Sequence, residues 1–395
     1  LFLVLNNGNN MRKRPIQTAS EEYVNDILGG VTNVDNVQKR EKLKLRTLYQ
    51  QIEIFNQIQK DPQGQKCISS KKVDFCNDLL IIVDMQNDFM GHEDGHQYTY
   101  GEDNRKAALP TRGSVEMCMC IASMALSVLN DDINNNKNRG AVIVTRDFHT
   151  DNHISFDIFG KHCVGSLNDS SGSYIVECLN SALSYRDNLR NQRLFYVFKA
   201  FHKYIDSFGA FSYSPYYAKE QNYVNKRILF DRSDIEEKSG LGKKELLDNF
   251  TGSFLYLKDD EVSYEKLQNE RKNCIEKGDY NASCMAPSLE NVLFDKRLQQ
   301  TALKQVKQFE KPKVFLCGVL GDFCVLDSAI TARLSGKFKE IYIIFDLIRS
   351  LQDDKKKLVF EKEKWISVCL KYNLKLVLSV SIHFVQGRLP RPLKR

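Results

Sequence analysis

From Asp78 onward the chain repeats one pattern. A short run of consecutive apolar residues ends in a polar one, and a longer stretch follows with apolar positions three and four apart. Leu79 to Val83 is such a run, closed by Asp84, and 113–129 carries the helical spacing. Runs recur at 140–149, 193–199, 313–319, 340–346 and 374–380, with helical stretches at 173–189, from Cys324 onward, and at 354–372. A strand that is apolar at every position is buried on both faces, the mark of a parallel sheet covered by helices. The pattern predicts a three-layer α/β/α fold with a six-stranded, mainly parallel sheet.

The pattern is absent from residues 1–76. These read as an N-terminal extension, partly disordered, with one surface helix between Val37 and Lys60 on which Leu43, Leu45, Leu48, Ile52, Ile54 and Phe55 carry helical spacing; it either packs on the domain or serves as an interaction segment. The folded domain is placed at 77–380. An Asn-rich surface loop at 130–138 and a polar insertion at 213–297 interrupt it. The insertion far exceeds what a strand-to-strand connection needs. Phe250, Phe254, Leu255, Tyr256 and Leu257 give it some capacity for order. Residues 381–395 read as a basic, disordered tail.

Composition narrows the class. No apolar run reaches the roughly 18–20 residues of a membrane span, and LFLVLNNGNN at the start is too short for a secretory core. A cytoplasmic protein is expected, with a nuclear location as the alternative and no membrane partner. The net charge of +7 is mild for 395 residues and its lysines are dispersed, which argues against a nucleic-acid partner. Eleven cysteines without a CxxC pair point to reduced thiols.

Ligands of open parallel sheets bind at the carboxyl ends of the strands. The predicted strands deliver Asp84, Asp147 and Lys199 there, and the fourth leads through a Gly-containing turn to Cys324. Cys324 stands where a helix begins, where the helix dipole lowers a thiol pKa. Asp84 can take the thiol proton, Lys199 can stabilise the thiolate, and backbone N–H groups of the turn can hold an oxyanion. Such an assembly suits acyl transfer from an amide. A second cluster follows the second strand: Asp147, His149, His153 and His162. Imidazole and carboxylate donors suit Zn²⁺, Fe²⁺ or Mn²⁺ with open water positions. Cys163 is a further candidate, although in an extended segment it would point away from its neighbour His162.

These residues fall in stretches that resemble the nicotinamidases (pyrazinamidases) of the isochorismatase-like cysteine hydrolases. The stretches are DLLIIVDMQNDFM (78–90), AVIVTRDFHTDNHISF (141–156), KHCVGS (161–166), FKAFHKYIDSFGAF (198–211) and KVFLCGVLGDFCVLDSAITA (313–332). The resemblance implies the isochorismatase-like hydrolase fold and a catalytic triad of Asp84, Lys199 and Cys324. It implies an oxyanion hole from the N–H groups of Leu320 and Cys324, beside a cis Val319–Leu320 peptide. Asp147, His149 and His162 would ligate a divalent metal, most simply Zn²⁺, and His153 would ligate it or hold its water. Phe89, with Phe159 in place of the family's tryptophan, would line the substrate site. The implied reaction turns nicotinamide into nicotinate and ammonia through a cysteine thioester, feeding NAD salvage, and a homo-oligomer is compatible with it. Another isochorismatase-like amidase, or a scaffold protein acting through its insertion, are the alternatives. The sequence departs from the family pattern in Ala200 after Lys199, in Gly321, in the insertion, and in its single tryptophan, Trp365, which lies in a late helix.

Overall fold

Alternate residues of the apolar strands face two different cores. The computed structural model describes residues 46–69, 72–129, 140–149, 151–165, 170–187, 193–200, 206–213, 253–256, 289–294, 311–351 and 362–384. Its principal elements, in chain order, are α1 (Arg46–Lys60), β1 (Val73–Phe75), β2 (Leu79–Val83), α2 (Ser114–Leu129), β3 (Ala141–Asp147), α3 (Glu177–Asp187), β4 (Leu194–Lys199), β5 (Ser253–Tyr256) and α4 (Leu289–Phe294). They continue with β6 (Val314–Val319), α5 (Leu326–Ser335), β7 (Ile341–Arg349), α6 (Lys362–Tyr372), β8 (Lys375–Val377) and β9 (Ile382–Phe384). The main sheet runs β8-β7-β6-β2-β3-β4-β5. The six expected strands are parallel throughout. A seventh, β5, adds itself antiparallel to β4.

Leu79, Ile81 and Val83 of β2 join Leu316 of β6 in one core, against α1, α5 and α6. Leu80 and Ile82 join Phe315, Cys317 and Val319 in the other, against α2 and α3. This is the physical reason the strand sequences do not alternate: both faces are dry. At Gly318 the backbone has φ 114°, and a Cβ there would lie 2.1 Å from the Val83 carbonyl oxygen. A side chain is excluded, so the main chains of β6 and β2 close up just before the turn that carries Cys324.

Several limits differ from the sequence reading. α1 packs on the domain, as one of the two readings of this segment has it, and goes deeper than a surface helix: Leu48, Ile52, Phe55 and Ile58 are buried, and the Phe55 ring packs on Phe345 of β7 at 5.9 Å. β1 pairs in parallel with β9, so segments assigned to the extension and to the tail form one small ladder. β7 runs past Asp346, which stays in the strand because its carboxylate accepts from Ser379 N–H at 2.8 Å and Ser379 Oγ at 2.5 Å. Cys118 of α2 and Cys178 of α3 form a disulfide, against the expectation of reduced thiols. The two helices lie side by side on the sheet, a proximity that their separation of 60 residues conceals. In the insertion, β5 and α4 are ordered, and Leu289 and Leu293 of α4 are buried in the core. The Asn-rich loop, Phe250 and Leu257 lie outside the described residues, as do 1–45 and 385–395.

Because α1 belongs to the core, Phe55→Ala is expected to cost about 3–5 kcal/mol. Urea unfolding should show this as one transition at lower denaturant. A midpoint equal to that of the unaltered protein would make the helix peripheral.

Candidate active site

β2, β3, β4 and β6 end side by side, and each delivers one reactive group. Asp84 follows β2 with φ 49°, Asp147 and Lys199 are register partners at the ends of β3 and β4, and Cys324 lies in the turn Gly321–Val325 after β6. That turn is a single wide π-turn running into α5, and the Val319–Leu320 peptide before it is cis, as the resemblance implies. A side chain at Gly321 would meet Ser350 Oγ at 2.7 Å, so here a serine on another element brings a hydroxyl to the turn.

Lys199 is fully buried and sits at the centre. Its Nζ lies 2.8 Å from Asp84 Oδ2, 3.0 Å from Asp147 Oδ1 and 3.5 Å from Cys324 Sγ. Burial works against its charge, but Asp147 and Asp84 override it and hold the ammonium well above its ordinary pKa. Asp84 Oδ1 accepts from Thr145 Oγ1 at 2.7 Å, while Oδ2, 2.8 Å from Lys199 Nζ, accepts no hydrogen bond of good geometry among the described residues. An acceptor lone pair is left beside the thiol. Burial raises the Asp84 carboxyl, opposed by Lys199. Burial also pushes the Cys324 thiol well up, and only Lys199 pulls it down. The shift is opposite to the lowering expected of a thiol at a helix start. Cys324 is 1% exposed and stands next to two carboxylates, and both outweigh a dipole at the helix start. The resting thiol keeps its proton and has a carboxylate placed to remove it.

Asp147 links this trio to a second cluster. Its other oxygen, Oδ2, lies 3.0 Å from His149 Nε2 and 3.7 Å from His162 Nε2. The two Nε2 atoms are 3.2 Å apart. His149 Nδ1 is 3.0 Å from the Ala200 carbonyl and His162 Nδ1 is 2.7 Å from the Gly160 carbonyl. A carbonyl only accepts, so both Nδ1 atoms carry the hydrogen and both Nε2 atoms present lone pairs. Three buried acceptors thus converge with no donor between them, an arrangement that demands a cation. A tetrahedral Zn²⁺ with ligands at about 2.05 Å separates them by about 3.3 Å, which the spacing matches. Asp147, His149 and His162 therefore fit a divalent metal, and they form one of the ligand groups that the described residues offer. Without an ion, a proton answers the same demand. Burial disfavours it, but Asp147 pushes the His149 pKa up, while burial and charged His149 push His162 down to about 4. Asp147 is buried too, yet His149 and Lys199 hold its carboxyl below the usual range.

Rings surround the clusters. His153 stacks on His149 at 4.0 Å, with Nδ1 2.7 Å from Ser155 Oγ. Phe89 lies 5.8 Å and Phe159 6.3 Å from His162. Phe159 also packs edge-on to Phe208 and Phe323, at 6.2 and 6.0 Å. Leu320 flanks Cys324 across the turn and is buried. Cys163 stands apart: its backbone has φ 46°, and burial keeps its thiol well above the ordinary value.

The sequence reading left several supporting residues without a role. Gln86 clasps the Asp147 backbone from both sides, Nε2 donating to its carbonyl at 2.7 Å and Oε1 accepting its N–H at 2.8 Å. Asp88 accepts the Cys163 N–H at 2.7 Å, next to His162, and the Tyr100 hydroxyl at 2.6 Å. Both belong to the VDMQNDF run, whose polar letters were the available signal. Thr145, Phe208 and Asp206 lie in the stretches 141–156 and 198–211, where their place in the pattern was the signal. Asp206 is buried near His149, and burial lifts its carboxyl to about 7.

No family model matches the chain, and no curated protein matches its sequence. Solved structures do show likeness. The yeast nicotinamidase bound to the inhibitor nicotinaldehyde is 17% identical over 76% of this chain and 99% of its own, with a TM-score of 0.39. The Pyrococcus horikoshii pyrazinamidase in complex with zinc is 16% identical over 76% and 99%, with a TM-score of 0.36. An isochorismatase-like hydrolase from Alkaliphilus metalliredigens is 13% identical over 76% and 93%, also at 0.36.

Proposed function

We propose that the chain is a cysteine amidohydrolase that cleaves a planar aromatic carboxamide, with nicotinamide as the substrate and nicotinate and ammonia as products. The observation that carries this reading is the Lys199 ammonium, within 3.5 Å of Cys324 Sγ and of carboxylates on both sides. A nucleophile, its base and a fixed positive charge stand together beside a cation-demanding cluster walled by phenylalanines.

Asp84 takes the proton of Cys324, and Sγ attacks the carboxamide carbon. The N–H groups of Leu320 and Cys324 receive the developing oxyanion. The C–N bond breaks, Asp84 returns the proton to the departing ammonia, and a thioester remains. Asp84 then draws a proton from water, the water oxygen adds to the thioester carbon, and the C–S bond breaks to release the acid and restore the thiol. Lys199 keeps Asp84 ionised and offsets the charge on sulfur. A divalent ion, Zn²⁺ before Fe²⁺ or Mn²⁺, would be held by Asp147, His149 and His162, with His153 beside it, and supplies a Lewis-acidic anchor for a ring nitrogen. Phe89 and Phe159 hold the ring. Product formation of this kind belongs to the supply of pyridine nucleotide precursors.

Ammonia release from nicotinamide by the purified protein tests the reading, and Cys324→Ala should lower it by about 10⁴-fold or more. Release from other carboxamides but not from nicotinamide would assign a different amidase. Activity retained by Cys324→Ala would overturn the mechanism. Removing divalent ions with a chelator should abolish turnover, and Zn²⁺ should restore it. The acid limb of kcat/KM reports Asp84: protonated, it cannot accept the thiol proton, and burial has lifted it above its ordinary value of 3.8. Activity should therefore fall on acidification at a pH above that value. A profile flat down to about pH 4, where an ordinary carboxylate titrates, would remove Asp84 as the base.

A further inference from the structure

Asp206 opens the segment 206–213, which is tied to the helix behind Cys324 through Ala210 and Tyr213. The Tyr213 hydroxyl accepts from Gly209 N–H at 2.9 Å and donates to Asp327 Oδ2 at 2.6 Å. Ala210 N–H donates to Ser328 Oγ at 2.9 Å. The segment is thus fixed to α5, and Asp206, 2% exposed, is fixed with it. Its carboxylate groups with His149 and His153, ligand atoms of all three lying within 4.8 Å of one another. His149 therefore belongs to two ligand groups: Asp147, His149 and His162, and His149, His153 and Asp206.

His149 cannot serve two ions. Its Nδ1 hydrogen is given to the Ala200 carbonyl, so Nε2 is its single lone pair. The two groups are then parts of one coordination sphere. Asp147 also meets only part of the charge requirement, since Oδ1 is committed to Lys199 at 3.0 Å. Asp206, buried and grouped with His149 and His153, is a second carboxylate able to supply the rest. We propose that Asp206 is a second carboxylate ligand of the single divalent ion held at His149. The donor set then contains two carboxylates and imidazoles, which suits Fe²⁺ and Mn²⁺ as well as Zn²⁺.

This inference rests on the metal reading above, and metal binding separates the two. Metal-free full-length protein, Asp206→Ala and Asp206→Asn are titrated with Zn²⁺ and with Co²⁺, following heat and visible absorption, with circular dichroism confirming that each variant is folded. The unaltered protein should bind one ion per chain. Asp206→Ala should bind it at least about tenfold more weakly, with a changed Co²⁺ absorption spectrum, and Asp206→Asn, which keeps one oxygen donor, should fall between. A variant that binds as tightly as the unaltered protein, with the same Co²⁺ spectrum, overturns the assignment while the metal site stands. Weaker binding with an unchanged spectrum overturns it too, since Asp206 would then act only by orienting His153. An unaltered protein that binds no ion overturns the metal reading and this inference together.

Discussion

A lysine ammonium with no exposure to water governs this structure. Taking such a charge out of water costs several kcal/mol unless opposite charges surround it. Lys199 finds them in Asp84 and Asp147, at 2.8 and 3.0 Å. The strand order β2-β3-β4 makes this arrangement available, because Lys199 must reach across the end of β3 to meet Asp84. Asp147 then shares itself between the lysine and the histidines. The nucleophile and the cation cluster are electrostatically one unit, and a change in either is felt by the other through a single carboxylate.

What the sequence revealed follows from topology. A run such as LLIIV has one physical reading, a strand dry on both faces, and the polar residue that closes it is then a strand-end residue. Asp84, Asp147 and Lys199 were legible for that reason. Cys324 was legible as a residue at a helix start, but its acidity was not, because the burial and carboxylates that raise it come from other strands. The histidines were visible as a cluster. Their lone-pair directions were not, since the Ala200 and Gly160 carbonyls fix them.

The rest was hidden for related reasons. Thr145 is an unremarked β-branched residue until its hydroxyl is seen against Asp84. Phe208 and Asp206 lie in the stretch 198–211, but their individual roles emerge only once the segment is packed on α5. That α1 packs on the domain was legible from its spacing, but its partner was not, because the matching face, on β7 and α6, is more than 280 residues away in sequence; Phe55 meets Phe345. The Cys118–Cys178 pair needs α2 and α3 to be neighbours. Local periodicity assigns elements, but partners come from the assembled sheet.

The outermost strand changes how the long insertion should be viewed. A sheet that ended at β4 would present an open row of N–H and C=O groups, a template for pairing with other chains. β5, drawn from the insertion, covers that row, and its Ser253 stands opposite Lys199. The strand that carries the central ammonium is therefore paired on both sides by chain segments of different origin. An added loop is ordinarily the part that engineering removes first. Here excision would uncover a sticky sheet edge that ends at Lys199, so any shortened form of this chain must keep Ser253–Tyr256 or replace it with another edge strand.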